Sequence, residues 1–193
     1  MKKVLKLITR MMYLVRYLMF VKFNKQIKSD FLVLIQPNVK VILEKGAKIT
    51  FGKNVLIKND TIIYAKKNSS ILFGDNTSTG HHTEISANNR IRIGNDVIMG
   101  AYTYITDADH RYDDPHLPIR LQPMNIGEVT VGDNVWLGRG VMVLKDSHVG
   151  SNCVVAAGSI VTKKFDDNIV IGGIPAKVIK PIERLSIPEE LKE

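Results

Sequence analysis

The segment ITDADHRYDDPH, residues 105 to 116, sets His110 among four carboxylates: Asp107, Asp109, Asp113 and Asp114. An imidazole titrates near neutrality, so it can take a proton from a hydroxyl as that oxygen attacks an electrophile. A carboxylate beside it, Asp107 or Asp109, would hold one tautomer and stabilise the imidazolium that forms. A second cluster lies upstream in TGHHTEISANN, where His81 and His82 are adjacent. If neighbours alternate faces, one of that pair turns to solvent; His81 is the better candidate for an inward or substrate-facing role.

These side chains need a scaffold, and the flanking sequence repeats every six residues. From Val131 the steps give Leu137, Val143, Val149, Val155 and Val161, an unbroken aliphatic series with Gly132, Gly138 and Gly150 following three of its members. Upstream runs are Ile93, Met99, Ile105; Phe73, Thr79, Ile85, Ile91; and Phe51, Ile57, Ile63, with the phase slipping between runs. One apolar residue in six is neither a helix stripe nor an alternating strand. It suits short flat faces joined by tight turns, each face sending one side chain into a shared axial core, which is a parallel β-helix. A sandwich of short strands is the alternative, but it would not hold one phase from Val131 to Val161. The hexads stop after Ile105 and resume at Val131, leaving a loop at 106–127 with prolines at 115, 118 and 123. A loop of that length in a compact repeat is commonly functional.

The stretch VTVGDNVWLGRGVMVLKDSHVGSNCVVAAGSIVTKKF, followed by IVIGGIPAKVIK, resembles the hexapeptide-repeat acyltransferases. In particular it resembles the sugar O-acetyltransferases of the maltose and galactoside type and their relatives in surface-polysaccharide synthesis. The resemblance covers roughly residues 50 to 182. It implies an all-β solenoid whose triangular coils wind left-handed, although parallel crossovers are right-handed in most folds. It also implies a homotrimer with active sites at subunit interfaces, and acetyl-CoA as co-substrate with no metal.

The same resemblance assigns residues. His110 occupies the general-base position, and the acceptor hydroxyl attacks the coenzyme-bound acetyl group directly, so no serine nucleophile is required. Gly80 stands where the family carries an asparagine near the acceptor, which leaves His81 or His82 to contact the acceptor instead. Trp136 matches a residue lining the acceptor or pantetheine channel. Gly138, Arg139, Ala157 and Gly158 fall at coil corners where small residues let the pantetheine arm lie close to the backbone; Arg139 departs from the usual small residue. Thr162, Lys163, Lys177 and Lys180 match positions at the nucleotide end of the coenzyme. KDSHVG, residues 145 to 150, departs from the family's usual turn and would alter a corner of the coenzyme groove.

Charge is unevenly spread. The 193-residue chain carries a formal +8, and residues 1 to 28 contain Lys2, Lys3, Lys6, Arg10, Arg16, Lys22, Lys25 and Lys28 with no Asp or Glu. The rest is balanced. Between these charges the arm is apolar, but its uncharged runs are too short to span a membrane, and it lacks the cleavage site of a signal peptide. A basic apolar helix over 1–30 either lies in the headgroup region of an anionic leaflet or covers the open end of the solenoid. Nucleic acid is not a fitting partner, because the basic residues alternate with long aliphatics rather than stacking aromatics. The organisation expected is therefore a helical arm at 1–30, a β-helix at 31–182 and a short tail or helix at 183–193. A lone Cys153 points to a reducing compartment, hence the cytoplasm or the cytoplasmic face of the inner membrane.

The function expected is acetyl transfer from acetyl-CoA to a sugar hydroxyl, on a surface polysaccharide or its lipid-linked precursor. Three alternatives stay open: N-acetylation of an amino sugar, a non-catalytic solenoid scaffold, and a zinc enzyme like the gamma carbonic anhydrases with His81, His110 and His116 as ligands.

Overall fold

The computed structural model describes residues 11–29 and 31–183. The chain winds as a parallel β-solenoid with three faces. Face I stacks Ile27–Ser29, Lys48–Phe51, Ser70–Phe73, Arg90–Ile93, Glu128–Val131, His148–Val149 and Lys164–Phe165. Face II carries Leu34–Ile35 and Leu56–Ile57, a bridge at Ser78, then Ile98–Met99, Trp136–Leu137, Val154–Val155 and Ile169–Gly173. Face III stacks Lys40–Leu43, Ile62–Ala65, Glu84–Ala87, Tyr104–Thr106, Met142–Val143 and Ile160–Val161.

Register is strict. On face I, Phe51, Phe73, Ile93, Val131, Val149 and Phe165 lie one above another. The hexad residues Leu137, Val143, Val149, Val155 and Val161 are wholly buried, as one inward side chain per face requires. The phase slips also have a physical cause. Upstream strands on faces I and III have four residues with two inward side chains, such as Ile49 with Phe51 and Ile63 with Ala65, whereas downstream strands have two residues and one. Stacked corner positions are accordingly 22 residues apart at Lys53 and Asp75 but 16 apart at Ser151 and Asp167.

The corner between faces I and II is a ladder of Asn and Asp. Asn54, Asn76, Asp96, Asn134, Asn152 and Asn168 all have positive φ, which short polar side chains tolerate better than others. Asn54 donates to Asn76, Asn76 to Asp96, Asn134 to Asn152, and Asn152 to Asn168. A parallel row of side-chain oxygens on Asp75, Asn95, Asp133 and Asp167 accepts backbone N–H groups from the coil before. Coil stacking elsewhere depends on missing side chains: a Cβ at Gly80 would sit 2.0 Å from the carbonyl oxygen of Gly100.

Both ends depart from the expected boundaries. Residues 11–17 are α-helical and Leu18–Lys22 continue as a π-turn; Val21 is buried, and Tyr17 and Phe20 pack on the core. The helix therefore does cover the first coil. Ile27–Ser29, placed in the arm on sequence grounds, is already a face I strand paired with Lys48–Phe51, so the solenoid begins at 27 rather than 31. At the other end Ala176–Pro181 folds back antiparallel on Ile169–Gly173 instead of starting another coil. Residues 1–10 of the arm and 184–193 of the expected tail lie outside the described residues. Cys153 is buried, its thiol donates to the Asp166 carbonyl, and desolvation pushes its pKa up, so the thiol stays protonated.

Candidate active site

The loop that interrupts the hexads leaves the solenoid at the corner between faces III and I and is an ordered hairpin. Ala108–His110 pairs antiparallel with Met124–Ile126, placing His110 opposite Met124. A 3-10 turn at Ile119–Leu121 forms part of the tip. Gln122, buried although it sits in an exposed loop, fastens the tip by donating to the carbonyls of Asp114 and Leu117 and accepting the N–H of Asp114. His110 is exposed on the wall of an open polar groove of about 670 Å³, with Asp109, Tyr112, Asn125 and Lys145 around it.

The two aspartates expected to orient the imidazole differ in what they do. Asp107 is fully buried, and its carboxylate accepts the N–H of Asn88 at 2.6 Å and of Asn89 at 2.9 Å, with the Asn88 amide at 3.3 Å. Both oxygens face the coil below, so Asp107 anchors the hairpin root and does not hold the imidazole. Its own carbonyl accepts the N–H of Gly127, closing the root. Asp109 stays in the groove with His110, 3.9 Å from the ammonium of Lys145.

Lys145 is the residue that sequence reasoning missed. It extends from the next coil under the hairpin, its side chain 13% exposed, and binds Asp146 at 2.6 Å as well as facing Asp109. The pair with Asp146 holds that carboxyl below its usual range and raises the Lys145 ammonium. A lowered carboxyl favours the fold above its unfolded pKa and loses that effect only as pH falls through the lower folded value. A raised lysine keeps its contribution until pH rises through its folded value. The clamp is thus charged across neutrality. Lys145→Met is expected to raise amide exchange at Ala108, Ile126 and Gly127 by about two- to fivefold, a small effect because Asp109 and Asp146 are half-solvated; Lys145→Arg is expected to restore most of it.

A second group of candidate residues occupies the corner between faces II and III. His82 has positive φ, stacks on Tyr102 at 4.8 Å and faces Asp60 at 3.9 Å. Arg139 lies over the opposite side of this column, 4.7 Å from the Tyr102 ring centroid. His82 is thus occupied in the corner stack, and the neighbouring His81 is exposed as well, so the pair does not divide into one inward and one outward side chain. Gly138 is buried, and a Cβ there would meet the backbone N of Ala157 at 2.6 Å; coil stacking, not a coenzyme arm, requires its smallness. Ala157 and Gly158 are exposed, and a Cβ at Gly158 would meet nothing within 4 Å, so this corner does present open backbone.

Trp136 stands on face II, 56% exposed and in register with Ile98 and Val154. Thr162 and Lys163 are exposed on the III/I corner, one coil beyond Lys145. Lys177 and Lys180 lie on the closing strand of face II, where Lys180 borders a groove with Val154, Val170 and Pro181. Ser147 of the departing KDSHVG turn is buried and donates to the Val161 carbonyl, so it serves coil packing; His148 is half-buried on face I. Within one chain, then, His110 with Thr162 and Lys163 shares one corner, while His81, Ala157 and Gly158 share another. His81 is likewise apart from His110 and His116, and among the described residues no three His, Cys, Asp or Glu side chains are grouped to hold a metal ion.

Residues 128–163 match the family described as bacterial transferase hexapeptide (six repeats). An assigned acetyltransferase of Mycobacterium tuberculosis is 33% identical over 87% of this chain, which spans only 57% of that longer relative. The assigned lipopolysaccharide biosynthesis O-acetyl transferase WbbJ of Escherichia coli K12 is 30% identical over 72% of this chain and 74% of its own length. Among solved structures, a hexapeptide-repeat acetyltransferase of Vibrio cholerae O1 complexed with acetyl-coenzyme A superposes with a TM-score of 0.63 at 22% identity, covering 72% of this chain and 73% of that one.

Proposed function

Since the chain belongs to the bacterial hexapeptide-repeat acetyltransferases, we propose that it moves an acetyl group from acetyl-CoA to a hydroxyl of a sugar, on a surface polysaccharide or its lipid-linked precursor. The observation that carries this reading is the placement of His110 on an ordered hairpin, beside an open polar groove, with Asp109 and Lys145 at its side. Such a groove suits a hydroxylated acceptor. The name of the Escherichia coli relative supports the acceptor class.

In the proposed step the acceptor oxygen bonds to the acetyl carbon as His110 takes the hydroxyl proton. The C–S bond then breaks, and the imidazolium returns the proton to the departing thiolate. A backbone N–H of a neighbouring coil would stabilise the oxyanion between these events. The coenzyme would lie along the corner where Ala157 and Gly158 expose their backbone, with Thr162, Lys163, Lys177 and Lys180 as candidates for its phosphates.

Because His110 and the Ala157–Gly158 corner are on different edges of one prism, a complete site would form where the III/I corner of one subunit meets the II/III corner of the next. Closed three-fold association provides three such meetings. Acetyl-CoA as co-substrate suits the cytoplasm as the working compartment.

The test is direct. Acetyl-CoA at a hundred times its dissociation constant should stabilise the protein by about 2.7 kcal/mol, read as a rise in unfolding midpoint, and sugar acceptors should then trigger release of free CoA thiol. Stabilisation with release only to amino sugars would move the chemistry to N-acetylation. Absence of both stabilisation and release, with a panel of acyl-CoAs, would sink the proposal.

A further inference from the structure

The helix that covers the first coil has a second face that nothing among the described residues covers. Its inner side sends Tyr17, Phe20 and Val21 to the core. Its outer side leaves Met11, Met12, Leu14, Val15 and Met19 between 44% and 67% exposed, and Phe23 just beyond it reaches 78%. Met11, Met12, Val15 and Met19 line one almost wholly apolar hollow with Arg16 at its edge. Beyond Arg16, the basic side chains Lys22, Lys25 and Lys28 follow in the chain and are exposed, and residues 1 to 28 hold eight basic and no acidic side chains.

A face both apolar and cationic selects its occupant. A second copy packed through the same surface would bring basic side chains beside it, Arg16 and Lys22 among them, toward the same groups of the other copy, and residues 1 to 28 hold no carboxylate to offset them. An anionic leaflet supplies what the face lacks. Its acyl boundary accepts large flexible apolar side chains to a depth of roughly 5–10 Å, and each basic side chain near its surface is attracted by the negative headgroups. No helix among the described residues is long and apolar enough to cross a membrane, so contact of this kind would be peripheral.

We infer that the exposed face of the N-terminal helix docks this protein on a membrane surface rich in anionic phospholipid, with the first coil of the solenoid toward the lipid. The strands of face III then rise in order from Lys40–Leu43 to Tyr104–Thr106, where the hairpin departs. That puts the root of the hairpin that carries His110 on the order of 14 Å above the first strand of that face, at about 4.8 Å per strand. A groove at that height reaches a glycan carried on a lipid head, a consequence that rests on the proposed acetyl transfer; the docking itself does not.

The full chain should co-sediment with vesicles of phosphatidylethanolamine and phosphatidylglycerol and far less with vesicles of phosphatidylcholine alone. The double variant Val15→Asp/Met19→Asp, which alters only exposed positions, should weaken vesicle binding by roughly tenfold or more while leaving the unfolding midpoint and acetyl-CoA binding unchanged. Raising salt should weaken the native chain's binding as well. Failure to bind anionic vesicles, equal binding by the double variant, or a smaller oligomer formed by that variant in the absence of lipid would each overturn the inference; the last would assign the face to contact between copies. Loss of acetyl transfer with vesicle binding intact would instead count against the proposed activity alone.

Discussion

Replacing His110 with alanine is expected to lower kcat for acetyl transfer by about 10²- to 10⁴-fold, the range typical for loss of a positioned general base. The hairpin should survive the change. His110 is exposed at the end of its strand, and the hairpin root is held by Asp107, Gly127 and Lys145 rather than by the imidazole. The acetyl-CoA-induced rise in unfolding midpoint should therefore be the same in His110→Ala as in the native chain, which separates loss of chemistry from loss of binding. A variant that keeps full kcat would remove His110 from the reaction. One that loses coenzyme binding along with activity would move its role to assembling the site.

Asp107→Ala is expected to destabilise the protein by about 3 kcal/mol, or roughly 6–12 °C in Tm for a chain of this size. The reason is local and countable. Two backbone N–H groups, those of Asn88 and Asn89, lose a charged acceptor, and a wholly buried carboxylate leaves a gap beneath the hairpin. Asp107→Asn retains one acceptor oxygen and should lose about half as much. Had Asp107 held the imidazole, as its place three residues before His110 suggests, the alanine variant would keep its Tm and lose only kcat. The geometry calls for the opposite order: Tm falls first, and activity falls because the strand that carries His110 loses its root. Thermal scans of both variants beside their kcat values decide between the two roles.

Much of the scaffold was legible because one physical rule repeats. From Val131 to Val161 each short face contributes one inward aliphatic, so the period of six reads directly from the residues. Upstream the rule changes: strands such as Lys48–Phe51 admit a second inward side chain, and the pattern slips wherever that happens. The hairpin escaped detection for a different reason. Strands of three residues, Ala108–His110 and Met124–Ile126, are too short to show alternation, and the prolines between them look like irregular loop.

Within the site, the sequence singles out His110 through chemistry that only a few residue types can perform. It misjudges Asp107 and overlooks Lys145 because their partners are distant in sequence. The groups that Asp107 binds are backbone amides 18 and 19 residues earlier, and main-chain donors leave no trace in residue type. Lys145 faces Asp109 from the following coil, a pairing that appears only once the hairpin is folded back on the solenoid. Gly138 illustrates the converse: its small size is visible, but whether a ligand or the next coil requires it depends on the Ala157 backbone, whose nitrogen an added Cβ would meet at 2.6 Å.

At the I/II corner the row of side-chain oxygens that accept backbone N–H groups continues across the insertion without a break. Asn95 donates its N–H to Asp133 across 38 residues as readily as Asp75 does to Asn95 across 20, and Gly94 still reaches the Val131 carbonyl. The solenoid therefore closes its register whether or not anything protrudes between Thr106 and Glu128. An excursion of this kind is a cassette. Its length and residues are free to diverge, or to be exchanged between relatives as a unit, provided the fastening at Asp107, Gly127 and Lys145 is kept. Chimeras made at those joints would carry the groove beside His110 from one scaffold to another while the coils beneath stay the same.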